Sequence, residues 1–186
     1  MKKKIVITGG LGYIGTELCK LYSGLSWHHK IIVIDNRFIS ERVNQLRNWN
    51  MEFIQGDILD KDLMKKNCSD ADIVHHLAGV TEVPRTKSEA SKGQDEKIKE
   101  VAEKGTQNIL DVIKNKCKII FPSTHVVYEG ISEVKTNIKE NETTKPVLSY
   151  STSKAINEDQ LKKSGKNYII LRLGSVYGYS TDSMRL

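Results

Sequence analysis

Cysteine is scarce in this sequence, and its placement argues against the sites that cysteine usually builds. Cys19, Cys68 and Cys117 are odd in number and widely spaced, and no CxxC pair occurs. We therefore expect reduced thiols in a cytoplasmic protein rather than a disulfide framework or a zinc site. The adjacent histidine pairs at 28–29 and 75–76 have no carboxylate or cysteine at ligand spacing, so we expect no metal.

Long apolar runs are also missing. The basic start MKKK leads into only three apolar residues, at 5–7, before Thr8 and two glycines. This run is too short for the apolar region of a signal peptide. No other run approaches the length that spans a bilayer, which predicts a protein without a membrane partner.

Aromatic residues are few, at 6%, while positive charge is in excess. Lys and Arg number 29 against 23 Asp and Glu, which gives a net charge of +6 and raises a polyanion as a partner. However, the lysines are spread along the whole chain, and aromatic residues that could stack bases are not interleaved with them. We expect a solvated lysine surface and no nucleic acid. An RNA-binding protein remains the alternative, and a salt-dependent gel shift would favour it.

Short β-branched apolar runs alternate with helical patterns along the 186 residues. This alternation predicts one α/β domain with a doubly wound parallel sheet, Rossmann-like in arrangement, and ligands at the carboxyl ends of its strands. A polar stretch, 129–146, is predicted to be a surface loop. The predicted strands are 4–8, 30–35, 51–55, 72–78, 117–123 and 167–173, and the predicted helices are about 12–23, 40–48, 60–67, 95–114 and 149–164.

A glycine-rich turn follows the first predicted strand. Gly9, Gly12 and Gly15 are spaced as G-x-x-G-x-x-G, and Asp35 ends the second strand 20 residues after Gly15. Such glycines let the backbone approach a pyrophosphate at a helix N-terminus, and such an acidic residue can bind ribose hydroxyls. The pattern predicts dinucleotide binding. Asp35 repels a 2′-phosphate and therefore favours NAD over NADP, although Arg37 could reach such a phosphate.

Three further strand ends carry candidate residues. Asp57 ends the third strand, where adenine would lie, and the small residues Ala78 and Gly79 follow the fourth. Tyr150 and Lys154 stand four apart, on one face of the last predicted helix. That spacing alone is common on polar helices.

In their order and spacing, six motifs together resemble the extended short-chain dehydrogenase/reductases, the family of nucleotide-sugar epimerases, dehydratases and reductases. The motifs are TGGLGYIG, ID, GDI, HLAG, PSTHVVY and YSTSK, and the resemblance covers residues 1–179. It implies that Thr124, Tyr150 and Lys154 are catalytic. It also implies an NAD site formed by Gly9, Gly12, Tyr13, Ile14, Gly15, Asp35, Asn36, Asp57, Ile58, Leu77, Ala78, Gly79, Ser123, Tyr150 and Lys154.

The resemblance implies a reaction in which Tyr150 removes a proton from a sugar hydroxyl and NAD takes the hydride, which leaves a keto-sugar. Free tyrosine has a pKa of about 10, and a neighbouring lysine would lower it. The family's 4,6-dehydratases have Asp-Glu after the threonine, where this chain has His125 and Val126, so epimerase or reductase is favoured. Ala102 stands where members often have Asn.

The resemblance also implies partners: a nucleotide-diphosphate sugar, and a second copy of the chain bound through helices at about 95–115 and 149–164. Members continue into a smaller carboxyl-terminal lobe that binds the sugar nucleotide, and this sequence has almost none of it. We expect a cofactor domain whose substrate lobe is missing through truncation, through a sequence given only in part, or naturally. A non-enzymatic dinucleotide sensor or scaffold on the same fold is the other alternative.

Overall fold

A six-stranded parallel sheet forms the centre of the protein, for which a computed structural model describes residues 2–80 and 92–178. The strand order is β3-β2-β1-β4-β5-β6, and every neighbouring pair is parallel. This order confirms the predicted doubly wound α/β fold. The strands are β1 (Lys4–Thr8), β2 (Lys30–Asp35), β3 (Glu52–Gln55), β4 (Ile73–His76), β5 (Lys118–Thr124) and β6 (Asn167–Leu173), each within two residues of its predicted bounds.

Helices cover both faces of the sheet. They are α1 (Tyr13–Tyr22), α2 (Ser40–Asn48), α3 (Lys61–Cys68), α4 (Lys92–Glu100), α5 (Thr106–Val112) and α6 (Ser149–Lys163). Side chains of a strand alternate between the two faces, so β1 supplies both cores. Val6 packs with Ile109 and Leu161 on one face, while Ile7 packs with Val43 and Leu46 on the other. One core covers each face of the sheet. Side chains on both faces of a strand are therefore buried, which explains why the strands are apolar at consecutive positions.

The prediction of a single helix over 95–114 was wrong for the middle of that range. Residues Val101–Gly105 form a π-helical turn between α4 and α5. The side chain of Asn157 donates to the carbonyl of Ala102 at 2.8 Å, and Gln160 donates to that of Glu103 at 2.9 Å. These bonds from α6 satisfy carbonyls within the π turn, so the irregularity is fixed by tertiary contacts rather than by local sequence.

The carboxyl ends of the strands meet on one edge of the sheet, and the chain reverses its winding direction between β1 and β4. Such a switch point leaves a crevice for ligands. The segment between β5 and α6 joins two elements that line this crevice, through Thr124 and Tyr150. It begins with a 3-10 turn, His125–Tyr128, and its base is closed where Gly130 N–H donates to the carbonyl of Lys145 and Lys145 N–H to that of Val127, both at 2.8 Å.

The described residues contain no helix long and apolar enough to cross a membrane. Within the same residues, no group of three or more His, Cys, Asp or Glu side chains is placed to hold a metal ion. Cys19, Cys68 and Cys117 are buried and unpaired. Burial raises the pKa of the Cys19 and Cys68 thiols to about 12, which keeps them protonated and unreactive.

Candidate active site

A cleft of about 800 Å³ runs along the carboxyl ends of the strands. Every residue that the sequence nominated lies on its wall. In chain order, these are Gly9, Gly12, Tyr13, Ile14, Gly15, Asp35, Asn36, Asp57, Ile58, Leu77, Ala78, Gly79, Ser123, Thr124, Tyr150 and Lys154. Residues far apart in the chain therefore converge on one site.

The glycine turn follows the central strand β1 and lines the middle of the cleft, and its backbone is packed too closely for side chains. Gly9 has a φ of +69°, and a Cβ there would stand 2.6 Å from the backbone nitrogen of Ala78. Helix α1 begins directly after Gly12 without a side-chain cap or an acidic residue in its first turn. Its first N–H groups and the positive end of its dipole are thus available to an anion in the cleft. This is a cradle that fits a pyrophosphate.

Replacing Gly15 by alanine is expected to weaken cofactor binding strongly. A Cβ at Gly15 would stand 2.6 Å from the Cα of Gly10 and closer still to the carbonyl of Gly9, both backbone atoms that cannot swing aside. The turn must therefore shift, and we expect the Kd for NAD to rise by more than about tenfold. Calorimetric titration measures this. Gly24→Ala is the matched control, since a Cβ there meets nothing within 4 Å; equal affinity in the two variants would contradict the prediction.

Asp35 is buried, with 5% of its surface exposed, and it holds the glycine turn as well as facing the cleft. One carboxylate oxygen accepts the N–H of Leu11 at 3.0 Å, and the other accepts the backbone N–H of Arg37 at 3.0 Å and its Nε at 3.3 Å. The turn-holding bond to Leu11 was not anticipated from the sequence. Arg37 lies beside the turn, with its guanidinium 3.8 Å from the place of a Cβ on Gly12.

The ends of β2 and β3, at one end of the cleft, are tied together by side chains. Asn36 donates to the carboxylate of Asp57 at 3.2 Å, and the other oxygen of Asp57 accepts the N–H of Leu59 at 3.0 Å. Ile58 is buried beneath the π turn, where a side chain on Gly105 would overlap it. The loops after β2 and β3 therefore form a fixed wall of the cleft.

Thr124, Tyr150 and Lys154 form the opposite end of the cleft. The Lys154 ammonium donates to the carbonyl of Pro122 at 3.0 Å and lies 5.9 Å from the centroid of the Tyr150 ring. Burial lowers the pKa of Lys154 to about 8. Thr124 Oγ1 accepts the N–H of Val126 at 3.2 Å, so its hydroxyl proton remains available for donation. This is an arrangement suited to moving a proton to or from a bound hydroxyl.

A buried ion pair lies next to this end of the cleft, and sequence reasoning missed it. Glu158 accepts the Ser123 hydroxyl at 2.6 Å and two N–H bonds from Arg172, at 2.9 and 2.6 Å. Burial alone would raise the pKa of Glu158, but the bonds from Arg172 and Ser123 outweigh it and lower the pKa. The one sequence signal was its position, four residues after Lys154 on the same helix.

A second buried polar group links three of the elements around the cleft. The ring of His76 bonds Thr8 at 2.9 Å through Nδ1 and Thr106 at 3.0 Å through Nε2. Thr8 Oγ1 also accepts the N–H of Ala78 at 3.3 Å. The ends of β1 and β4 and the start of α5 are thereby held together beneath the cleft.

Comparison with known proteins identifies the family. The model of the NAD dependent epimerase/dehydratase family matches residues 5–186. The chain belongs to this family. The resemblance drawn from its motifs is thereby confirmed, and the cleft occupies the region where that resemblance placed the cofactor.

Curated members of the epimerase/dehydratase family align with nearly the whole chain. It is 31% identical to the putative UDP-glucose 4-epimerase of Methanocaldococcus jannaschii, over 96% of this chain and 57% of that protein. It is also 31% identical to the dTDP-D-glucose 4,6-dehydratase of Dictyostelium discoideum, over 95% of this chain and 44% of that protein. Equal identity to both does not separate epimerase from dehydratase. The chain spans about half the length of these relatives.

Solved structures share the fold. The Bordetella bronchiseptica enzyme WbmH, in complex with NAD+, is 26% identical with a TM-score of 0.78, over 95% of this chain and 57% of that chain. The Brucella ovis UDP-glucose 4-epimerase, in complex with NAD, is 27% identical with a TM-score of 0.71, over 91% of this chain and 51% of that chain.

Proposed function

We propose that the chain is the NAD-binding and catalytic part of a nucleotide-sugar epimerase. One observation carries the proposal: Thr124, Tyr150 and Lys154 line the same cleft as the glycine turn and Asp35. A non-enzymatic sensor would need only the cofactor end of this cleft. The presence of the complete proton-transfer set at the other end favours the enzyme.

NAD fits the donors and the shape of the cleft. Its pyrophosphate would lie against the glycine turn and the start of α1, and its adenosine ribose against Asp35, whose charge disfavours a 2′-phosphate. Lys154 and Ser123 would hold the nicotinamide end. Bound NAD would supply the chemistry that no side chain can, by accepting hydride from the sugar carbon and returning it.

The protein's own residues would move the proton. We propose that Tyr150 removes the proton of a sugar hydroxyl, because the positive charge of Lys154 on the same helix stabilises its phenolate. Thr124 would donate its free proton to the same sugar oxygen and hold it beside Tyr150. Ser123 already donates to Glu158, so it can only accept a hydrogen bond from a ligand in the cleft.

Epimerase is preferred to dehydratase because the acid for eliminating water is missing after Thr124. The His125 ring bonds the carbonyl of Leu173 at 3.1 Å, and Val126 is apolar. A reductase of the same family, which also needs no eliminating acid, is the second candidate. Both act through a keto-sugar, so Tyr150 has one role in each.

The wider arrangement is also part of the proposal. We take residues 1–186 as one NAD-binding domain, with a nucleotide-diphosphate sugar bound partly by a further lobe such as the longer relatives possess. A homodimer would use the outer faces of α4, α5 and α6, which already pack side by side in one protomer. Three unpaired cysteines fit the reducing environment of the cytoplasm.

Tyr150→Phe tests the proposed function. We expect reduction of bound NAD by UDP-glucose in the whole protein, followed by stopped-flow absorbance, to slow by about 10²–10⁴ while NAD affinity stays nearly unchanged. Thr124→Ser should be tolerated and Thr124→Val should not, because only the hydroxyl is needed. Wild-type rates in both Tyr150→Phe and Thr124→Val would show that these side chains are structural.

A further inference from the structure

The helix that carries Tyr150 lacks the usual features of a helix N-terminus. Leu148 occupies the N-cap position and makes no side-chain capping bond, and the first turn of α6 contains no acidic residue. The first N–H groups of a helix have no carbonyl partner within it, and side-chain acceptors near the helix start take the place of those carbonyls. One such acceptor is Ser151 Oγ in the first turn, which accepts the N–H of Val147 at 3.3 Å.

Glu129 supplies a second and charged acceptor from the far side of the preceding loop. A single oxygen, Oε1, accepts the N–H groups of Val147 and Leu148, both at 2.7 Å, and the hydroxyl of Ser151. The carboxylate thus contacts the two residues before the helix and its first turn. Its negative charge also lies at the positive end of the helix dipole.

The backbone of Glu129 is also held in a fixed position relative to Thr124. Thr124 begins the 3-10 turn by accepting the N–H of Val126, and Glu129 ends that turn by donating its own N–H to the carbonyl of Val126 at 3.0 Å. The short turn therefore holds Thr124 at one end and the acceptor for α6 at the other.

We propose that Glu129 is a positioning residue, which caps the Tyr150 helix from outside and thereby sets Tyr150 in place relative to Thr124 and Lys154. The proposal rests on the proposed function only in treating Tyr150 as the base. Glu129 itself is exposed, so its replacement leaves both cores intact. Glutamine keeps the accepting oxygen without the charge, and alanine removes both.

Amide hydrogen exchange, followed by NMR, tests the cap. We expect Glu129→Ala to speed exchange at Val147, Leu148 and Thr152 by about five- to tenfold, as the loss of a capping group does, and to leave Leu161 unchanged. Glu129→Gln should retain most of the protection. Glu133→Ala removes the same charge from the same loop and should change nothing. Unaltered exchange in Glu129→Ala would overturn the proposal.

Titration of the Tyr150 phenol tests whether Glu129 positions Tyr150 beside Lys154, rather than only closing the loop between β5 and α6. In each background, the ultraviolet titration is measured as the difference from the same protein carrying Tyr150→Phe. We expect a higher midpoint in Glu129→Ala than in Glu129→Gln, because both lack the charge and only alanine lets Tyr150 move away from Lys154. Equal midpoints would overturn the proposal. Neither measurement needs a substrate. A negative result here would therefore count against the role of Glu129 alone, whereas the proposed function would fail only if Tyr150→Phe oxidised the sugar at the wild-type rate.

Discussion

Replacing Glu158 by alanine is expected to lower the free energy of unfolding by about 3–5 kcal/mol, the cost of breaking a buried ion pair from one side. The side chain of Glu158 is 1% exposed and that of Arg172 is 13% exposed. Without the carboxylate, the guanidinium keeps its bond to the Tyr128 hydroxyl, its bond to the carbonyl of Glu140 at 3.0 Å, and its position over the Tyr128 ring, 5.1 Å from the centroid. Ser123 loses its acceptor as well.

Urea denaturation at constant pH measures this loss, and two variants calibrate it. Asp159→Ala removes the same charge from the next, exposed position of α6 and should change the free energy of unfolding by less than about 0.5 kcal/mol. Glu158→Gln keeps an acceptor for Ser123 and should lie between the two. If Glu158→Ala cost no more than Asp159→Ala, the ion pair would not be a stabilising part of the native structure.

The sheet and the cleft could be predicted from the sequence because their signals are local. Each strand is a short apolar run, and in a parallel sheet the residues after successive strands meet at one edge. That rule alone brings the glycine turn, Asp35, Asp57 and Thr124 together, although they are up to 115 residues apart. Predicting the cleft therefore required no knowledge of which distant side chains contact each other.

The groups that support the site could not be predicted, because their partners lie elsewhere in the fold. Glu129 and Glu158 stand in polar, lysine-rich segments where charged residues are usually solvated. Only the tertiary structure brings Arg172 of β6 against α6, or closes the loop so that Glu129 reaches Leu148. The π turn is a similar case, since the carbonyls that it exposes are bonded by Asn157 and Gln160 of a different helix.

His75 and His76 lead to the second large expected effect, a loss of stability in mild acid. They point to opposite faces of β4. His75 bonds the hydroxyl of Tyr22 at 2.8 Å, and His76 bonds Thr8 and Thr106. Burial lowers the pKa of His75 to about 4 and, together with the charge of Lys154, lowers that of His76 to about 3. Both rings are therefore neutral in the folded protein at neutral pH.

The direction of the effect follows from which state binds protons. An unfolded chain protonates histidine near pH 6.5, while the folded protein resists protonation of these two rings until the pH falls to about 4 or below. Their contribution to stability is complete above pH 6.5 and is lost as the pH falls below it. Two protons correspond to about 2.7 kcal/mol per pH unit, or about 5 kcal/mol between pH 7 and 4.5. A loss of that size is comparable to the whole stability of many domains.

Denaturant unfolding at a series of pH values and constant ionic strength measures this slope. The range from pH 6 to 5 is the most informative, because the carboxyl groups whose pKa is lowered in the fold, among them Asp70, Asp111 and Glu158, contribute mainly at lower pH. His76→Gln, which keeps groups able to bond both threonines, should remove about half of the slope. His28→Gln alters an exposed histidine and should leave the slope unchanged. A slope below about half a proton in the native protein would mean that neither ring stays neutral on acidification, and that both histidines are solvated in the folded protein.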